Sequence, residues 1–188
     1  ELAGREELLA EQAREAADTL SQCRRDAAAT MAGRVETELH DLAMPQARNH
    51  AEVSTDVAER HPHGADDVRI VLAPHPGADP RPIGKGASGG ELSRLALAFE
   101  VALADNAPTP TMIFDEVDAG VGGAVAVEVG RRLARLAAST QVVVVTHLPQ
   151  VAAFADHHLV VEKGSNGAVT AASVRGVDGD ERVAELVR

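Results

Sequence analysis

Two short apolar runs restrict what this chain can become. Thr111-Met112-Ile113-Phe114 and Gln141-Val142-Val143-Val144-Val145-Thr146 are almost unbroken by polar side chains, and they lead into Asp115-Glu116 and His147. A strand with one wet face alternates apolar and polar residues. A run without alternation marks a strand covered on both faces, as in parallel sheets layered by helices. Residues 123–138, between the runs, read as a helix, so the order strand, helix, strand predicts a βαβ unit in an α/β fold. If the strands are parallel, Asp115, Glu116 and His147 come to the carboxyl edge of the sheet, where open α/β folds bind ligands. The chain is 45% hydrophobic but 2% aromatic, with no Trp or Tyr, so its core must be built from Val, Leu, Ile and Ala.

Ahead of this unit, residues 1–44 are rich in Ala, Glu, Arg and Leu and lack proline until Pro45. Leu9, Ala13, Ala16, Leu20, Cys23 and Ala27 alternate by four and three, the seam of a coiled coil; the apolar positions then drift to Met31, Val35, Leu39 and Leu42. A coiled-coil arm ending at Pro45 and a long amphipathic helix packed on the domain both fit. Strands are expected over 47–54 and 66–74, then a Pro- and Gly-rich loop. A helix over 89–104 should bury Leu92, Leu95, Ala96, Phe99 and Leu103. Residues 157–163 and 168–176 read as a hairpin through Gly164–Gly167, and 180–188 as a last helix. The expected organisation is an arm over 1–44 and an α/β domain over 45–188.

A formal charge of −11 argues against a nucleic-acid surface over most of the chain, and three Phe provide no platform for stacking bases. The single cysteine, Cys23, excludes an internal disulfide and fits a reducing, cytoplasmic setting. No apolar run approaches the roughly 20 residues of a membrane span, and no signal peptide is visible. The chain opens on Glu1 rather than Met, which points to a segment of a longer protein.

In Ala87-Ser88-Gly89-Gly90-Glu91-Leu92-Ser93-Arg94, Ser88 and Glu91 have the spacing of a capping box. Gly89 and Gly90 do not serve a cap, because each costs a helix about 1 kcal/mol relative to alanine. A helix start with bare N–H groups suits a phosphate. An Asp at the end of a buried strand, here Asp115, can hold Mg²⁺ through water, and a carboxylate beside it, here Glu116, can deprotonate an attacking water. A solvated strand end would look the same. His147 reads either as structural or as an imidazole reaching a terminal phosphate.

The order of these signals resembles the second half of an ATP-binding-cassette-type ATPase of the branch that includes the structural-maintenance-of-chromosomes (SMC) proteins. Ser88-Gly89-Gly90-Glu91 is similar to the signature motif, residues 111–116 to the Walker B strand, 117–123 to the D-loop, and 146–150 to the switch-histidine loop. Residues 87–94, 113–123 and 145–158 together resemble the RecN family of bacterial DNA-repair proteins, and the likeness spans about residues 40–188. The resemblance implies an α/β fold: the C-terminal lobe of an SMC-like ATPase head, mostly parallel sheet with helices, preceded by a coiled-coil helix. It implies that Ser88, Gly89 and Gly90 touch the γ-phosphate of ATP held by a second head, and that Asp118 acts across the dimer interface. It further implies Asp115 on Mg²⁺, Glu116 as general base and His147 sensing the γ-phosphate. The implied partners are the N-terminal half of the same head, a second head in a homodimer, and DNA through the complete protein, with no membrane and a cytoplasmic, nucleoid-associated place.

A phosphate-cradling loop needs G-x-x-x-x-G-K-[ST]. Gly84-Lys85 comes nearest, but Gly86 follows and Asp79 stands where the first glycine belongs, so this chain alone should not hydrolyse ATP. Two other functions fit more loosely: a chromosome-maintenance head of the SMC type or its zinc-hook-bearing relatives, and a non-catalytic coiled-coil interaction module, which would have no use for Asp115-Glu116.

Overall fold

The computed structural model describes residues 2–56, 61–83, 88–104, 109–165 and 170–187. They fall into two compact units, Glu1–Ala87 and Ser88–Arg188.

The first unit begins with a 40-residue helix, α1 (Leu2–Asp41), followed by strands β1 (Arg48–Thr55), β2 (Asp66–Ala73) and the two-residue β3 (Arg81–Pro82). The strands form an antiparallel sheet in the order β1-β2-β3. Helix α1 ends because Ala43 takes a left-handed φ of 60°, and Met44 N–H then reaches back to Leu39 C=O at 3.1 Å. This closure satisfies a carbonyl at the helix end and seats Leu39 and Met44 in the core. Val35, Leu39 and Leu42 are fully buried, and Val71 and Leu72 of β2 are buried in the same unit. The last turns of α1 therefore belong to the packed core, and the boundary expected at Pro45 falls inside this unit.

Farther up α1 the inward face differs from the expected seam. Leu9 is 55% exposed and Cys23 is exposed, whereas Ser21 is buried. A polar contact turns the helix this way. Asp66, at the start of β2, accepts from Ser21 Oγ at 2.7 Å, Thr55 Oγ1 at 2.7 Å and Arg24 Nη1 at 2.7 Å. Arg24 Nη2 also donates to His63 C=O at 2.6 Å. Leu9 and Cys23 stay exposed while Leu20, between them in the expected seam, is half-buried against Gly64; the long helix is consistent with a coiled-coil arm.

The second unit contains α2 (Gly89–Leu103), β4 (Thr111–Phe114), α3 (Gly123–Ala137), β5 (Gln141–Val144), α4 (Pro149–Ala152), β6 (His158–Ser165), β7 (Thr170–Val177) and α5 (Gly179–Leu186). Strands β4 and β5 are parallel and in register, from Thr111 opposite Gln141 to Phe114 opposite Val144. Helix α3 makes the crossover and buries Ala126, Val129, Leu133 and Leu136. Gly130 gives the Phe154 ring room to lie against α3, since a Cβ there would force the ring to shift. Strands β6 and β7 form an antiparallel hairpin whose tip, 166–169, lies outside the described residues, as does Gly84–Gly86. Arg182 of α5 ties down the end of α4 by donating to Ala153 C=O at 3.1 Å and Ala155 C=O at 2.6 Å.

Two expectations change. Ile113, Val143 and Val145 are 73%, 45% and 59% exposed, so the β4–β5 pair is not covered on both faces among the described residues. On α2 the buried residues are Gly90, Arg94, Leu95, Leu97, Ala98 and Val101, whereas Leu92, Phe99 and Leu103 are half-buried and Ala96 is exposed. Arg94 points inward because its guanidinium finds a carbonyl there, and that rotates the buried stripe. No helix among the described residues is long and apolar enough to cross a membrane.

The Asp66 carboxyl is held down to about 2 by hydrogen bonds, from Thr55 first, then Ser21 and Arg24. A carboxyl depressed on folding contributes stability that is whole above its unfolded value near 3.8 and lost as pH falls through the folded one. The melting temperature should therefore fall steeply between about pH 4 and pH 2. Asp66→Asn should begin lower and show a flatter profile over that range, as read by circular dichroism.

Candidate functional site

The parallel pairing brings the expected residues to one edge. Asp115 and Glu116 follow β4 directly, Val145 N–H donates to Phe114 C=O at 3.0 Å, and Thr146 and His147 come next on the neighbouring strand. Asp115, Glu116 and His147 are all exposed. Glu116 has a φ of +56°, a left-handed conformation unusual for a residue with a side chain. Its N–H is capped by Asp115 Oδ1 at 2.9 Å. Backbone strain of this kind costs of order 1 kcal/mol and survives only where the surroundings impose it.

The start of helix α2 packs on this turn. Ser88 caps the helix in extended conformation, its Oγ accepting from Glu91 N–H at 3.3 Å while Glu91 Oε2 accepts from Ser88 N–H at 2.9 Å. Those bonds hold the Glu91 carboxyl below its usual range, the backbone contact first and the hydroxyl second. The start of the helix then lies on the turn after β4. Ser93 Oγ donates to Asp115 C=O at 2.6 Å, and Arg94 Nη1 donates to Ala119 C=O at 2.8 Å. Burial lowers the Arg94 guanidinium from its usual value, with Glu91 working in the opposite sense.

The two glycines meet different neighbours in this packing. A Cβ on Gly90 would stand 2.8 Å from Ala119 O and 2.9 Å from Ala119 Cβ, and one on Gly89 would collide with Glu116 Oε2. The sequence reading gave both glycines to a phosphate. Gly90 is buried against its own chain, whereas Ser88 and Gly89 are exposed at the positive end of the helix.

Asp118 sits elsewhere than expected. It is 2% exposed, and its Oδ2 accepts from Thr146 Oγ1 and from His147 N–H at 3.2 Å, with His147 Nδ1 3.3 Å away. A carboxylate so placed presents no face to a nucleotide across an interface. Ser93, Arg94 and Thr146 escaped the sequence reading as site residues.

No group of three or more His, Cys, Asp or Glu side chains is placed to hold a metal ion among the described residues. An exposed single carboxylate such as Asp115 fits Mg²⁺ in the manner that ion favours with nucleotides, where most ligands are waters and phosphate oxygens.

No family model matches the chain. Over 183 residues it is 56% identical to the DNA repair protein RecN of Streptomyces coelicolor, a match covering 92% of this chain and 32% of that protein. The chain thus spans about a third of that relative's length. Its fold is similar to the SMC head domain with coiled coil from Pyrococcus yayanosii, with a TM-score of 0.59 at 22% identity over 84% of this chain and 28% of the other. A chain from a study of ATP-driven dimerization and DNA-stimulated activation of SMC ATPases matches with a TM-score of 0.53 at 20% identity, over 89% of this chain and 95% of that one.

The packing at the two glycines predicts unequal costs. Gly90→Ala should destabilise the protein by roughly 1–3 kcal/mol, because a backbone carbonyl cannot step aside. Gly89→Ala should stay within about 0.5 kcal/mol of wild type, since the Glu116 side chain can rotate away and the helix gains propensity. Urea denaturation of the two variants measures both.

Proposed function

The chain belongs with the RecN DNA repair proteins, and from that premise we propose that it supplies the Walker B and signature half of an ATP-hydrolysing head acting in DNA repair. The observation that carries the reading is the common edge: two carboxylates, a histidine and the capped start of a 15-residue helix, assembled by one parallel strand pair.

The chemistry is phosphoryl transfer to water. Glu116, exposed at the strand end, accepts a proton from the attacking water as its oxygen bonds to the γ-phosphorus and the bond to ADP breaks. The left-handed backbone at Glu116 swings its side chain toward the start of α2, so the base lies beside the helix dipole rather than along the strand. Mg²⁺ held at Asp115 would neutralise charge on the phosphate oxygens. Ser88 and Gly89 lie exposed at the positive end of α2, beside the Glu116 carboxylate, a position that suits the γ-phosphate of a nucleotide held by a second head. His147 presents its imidazole at the same edge, 74% exposed. Most phosphate contacts and the second β-sheet layer would come from the N-terminal half of the head, which would cover Ile113, Val143 and Val145. Contact with DNA belongs to the complete protein, since this part carries a charge of −11.

These 188 residues contain no phosphate-cradling motif, and positioning is most of catalysis in this reaction. The chain alone should therefore show no turnover in a coupled phosphate-release assay, and adding the N-terminal half should restore it. In the complete protein, Glu116→Gln should slow hydrolysis by about 10²-fold or more while ATP binding persists. Turnover at the wild-type rate would remove Glu116 as the base.

A further inference from the structure

One buried oxygen organises the turn that carries His147. Asp118 Oδ2 accepts the Thr146 hydroxyl and the His147 N–H at 3.2 Å, and His147 Nδ1 stands 3.3 Å from the same atom. Thr146 Oγ1 in turn accepts Leu148 N–H at 3.0 Å, so the hydroxyl relays the carboxylate to the next residue of the turn. The Asp118 side chain is 3% exposed while the His147 ring is 74% exposed. The arrangement is a fixed anion inside and a projecting imidazole outside.

We infer that Asp118 is a positioning residue for His147, orienting the ring and setting its tautomer, and is not a nucleotide contact. The inference rests on the ATPase reading for what His147 does, but not for how it is held. A carboxylate only accepts hydrogen bonds, so we place the hydrogen on the ring nitrogen that faces it at 3.3 Å. That nitrogen is Nδ1. In the neutral ring Nε2 is then the bare outward atom, an acceptor for a water at the sheet edge; once protonated, the ring donates from Nε2 to a phosphate while Asp118 balances its charge. A buried carboxylate behind a working histidine is the general device for locking ring orientation, and its loss typically costs 10–100-fold in function.

The test uses the complete protein with ¹⁵N-labelled histidine, the His147 signal being assigned by its disappearance in His147→Gln. The neutral ring should show the Nδ1–H pattern in the wild type and lose it in Asp118→Asn. In steady-state assays Asp118→Asn should lower kcat by about 10-fold or more with KM for ATP little changed. It should lower kcat no further in a His147→Gln background. An Nε2–H ring in the wild type overturns the proposal, and that spectrum decides alone if Asp118→Asn does not fold. A full Asp118→Asn effect on top of His147→Gln also overturns it, because the carboxylate would then act by another route. Absence of ATP turnover by the complete wild-type protein would instead remove the ATPase reading and leave the tautomer result standing.

Discussion

The carbonyl oxygen of Ala119 holds the second unit's chemistry in place. It takes Arg94 Nη1 at 2.8 Å, and the bare Cα of Gly90 lies close enough that a methyl group would stand 2.8 Å from it. With Ser93 fastened to Asp115 C=O, this contact joins the first turns of α2 to the turn after β4. An amphipathic helix held by apolar packing alone could slide or roll by a fraction of a turn. A buried guanidinium on one carbonyl allows neither, because an unpaired charge in that position would be costly. Glu116, with its left-handed backbone, lies on the turn so anchored, and its carboxylate rests against Gly89.

Asp66 does comparable work in the first unit by a different route. The floor of that unit is apolar, built on Val35, Leu39 and Leu42, and by itself would define only the last turns of α1. The Ser21, Arg24 and Thr55 contacts extend the attachment about four helical turns farther along α1 and fix which stripe faces the sheet. Hydrophobic burial supplies attachment without direction, and the hydrogen-bonded carboxylate supplies direction.

Much of this was legible from the residues. Strand β4 lies where the apolar run placed it, α2 and α3 begin at their expected residues, and the Ser88–Glu91 spacing is realised as a capping box. These features depend on local pattern, which periodicity and spacing capture. The illegible parts depend on a distant partner. Arg94 and Ser21 count as outward residues in any pattern of apolar spacing, and only Ala119 C=O and Asp66 turn them inward. Asp118 reads as one more acid in an acidic turn until Thr146 and His147 are seen beside it. Strand β3 and helix α4, of two and four residues, are too short to carry a period at all.

The open face of β4 and β5 has a consequence for how such a chain behaves in bulk. Ile113 and Val143 stand on two adjacent strands, with Val145 just past the end of β5, and the strands find no third neighbour in their sheet among the described residues. Exposed apolar strands are templates for pairing with other copies, and neither strand carries a charged residue to blunt it. What opposes that is brevity, four residues in each strand, and mutual repulsion between molecules that each carry a charge of −11. The colloidal stability of this chain therefore rests on its acidity: salt that screens the charge, or acid that titrates it, brings its sticky face into play.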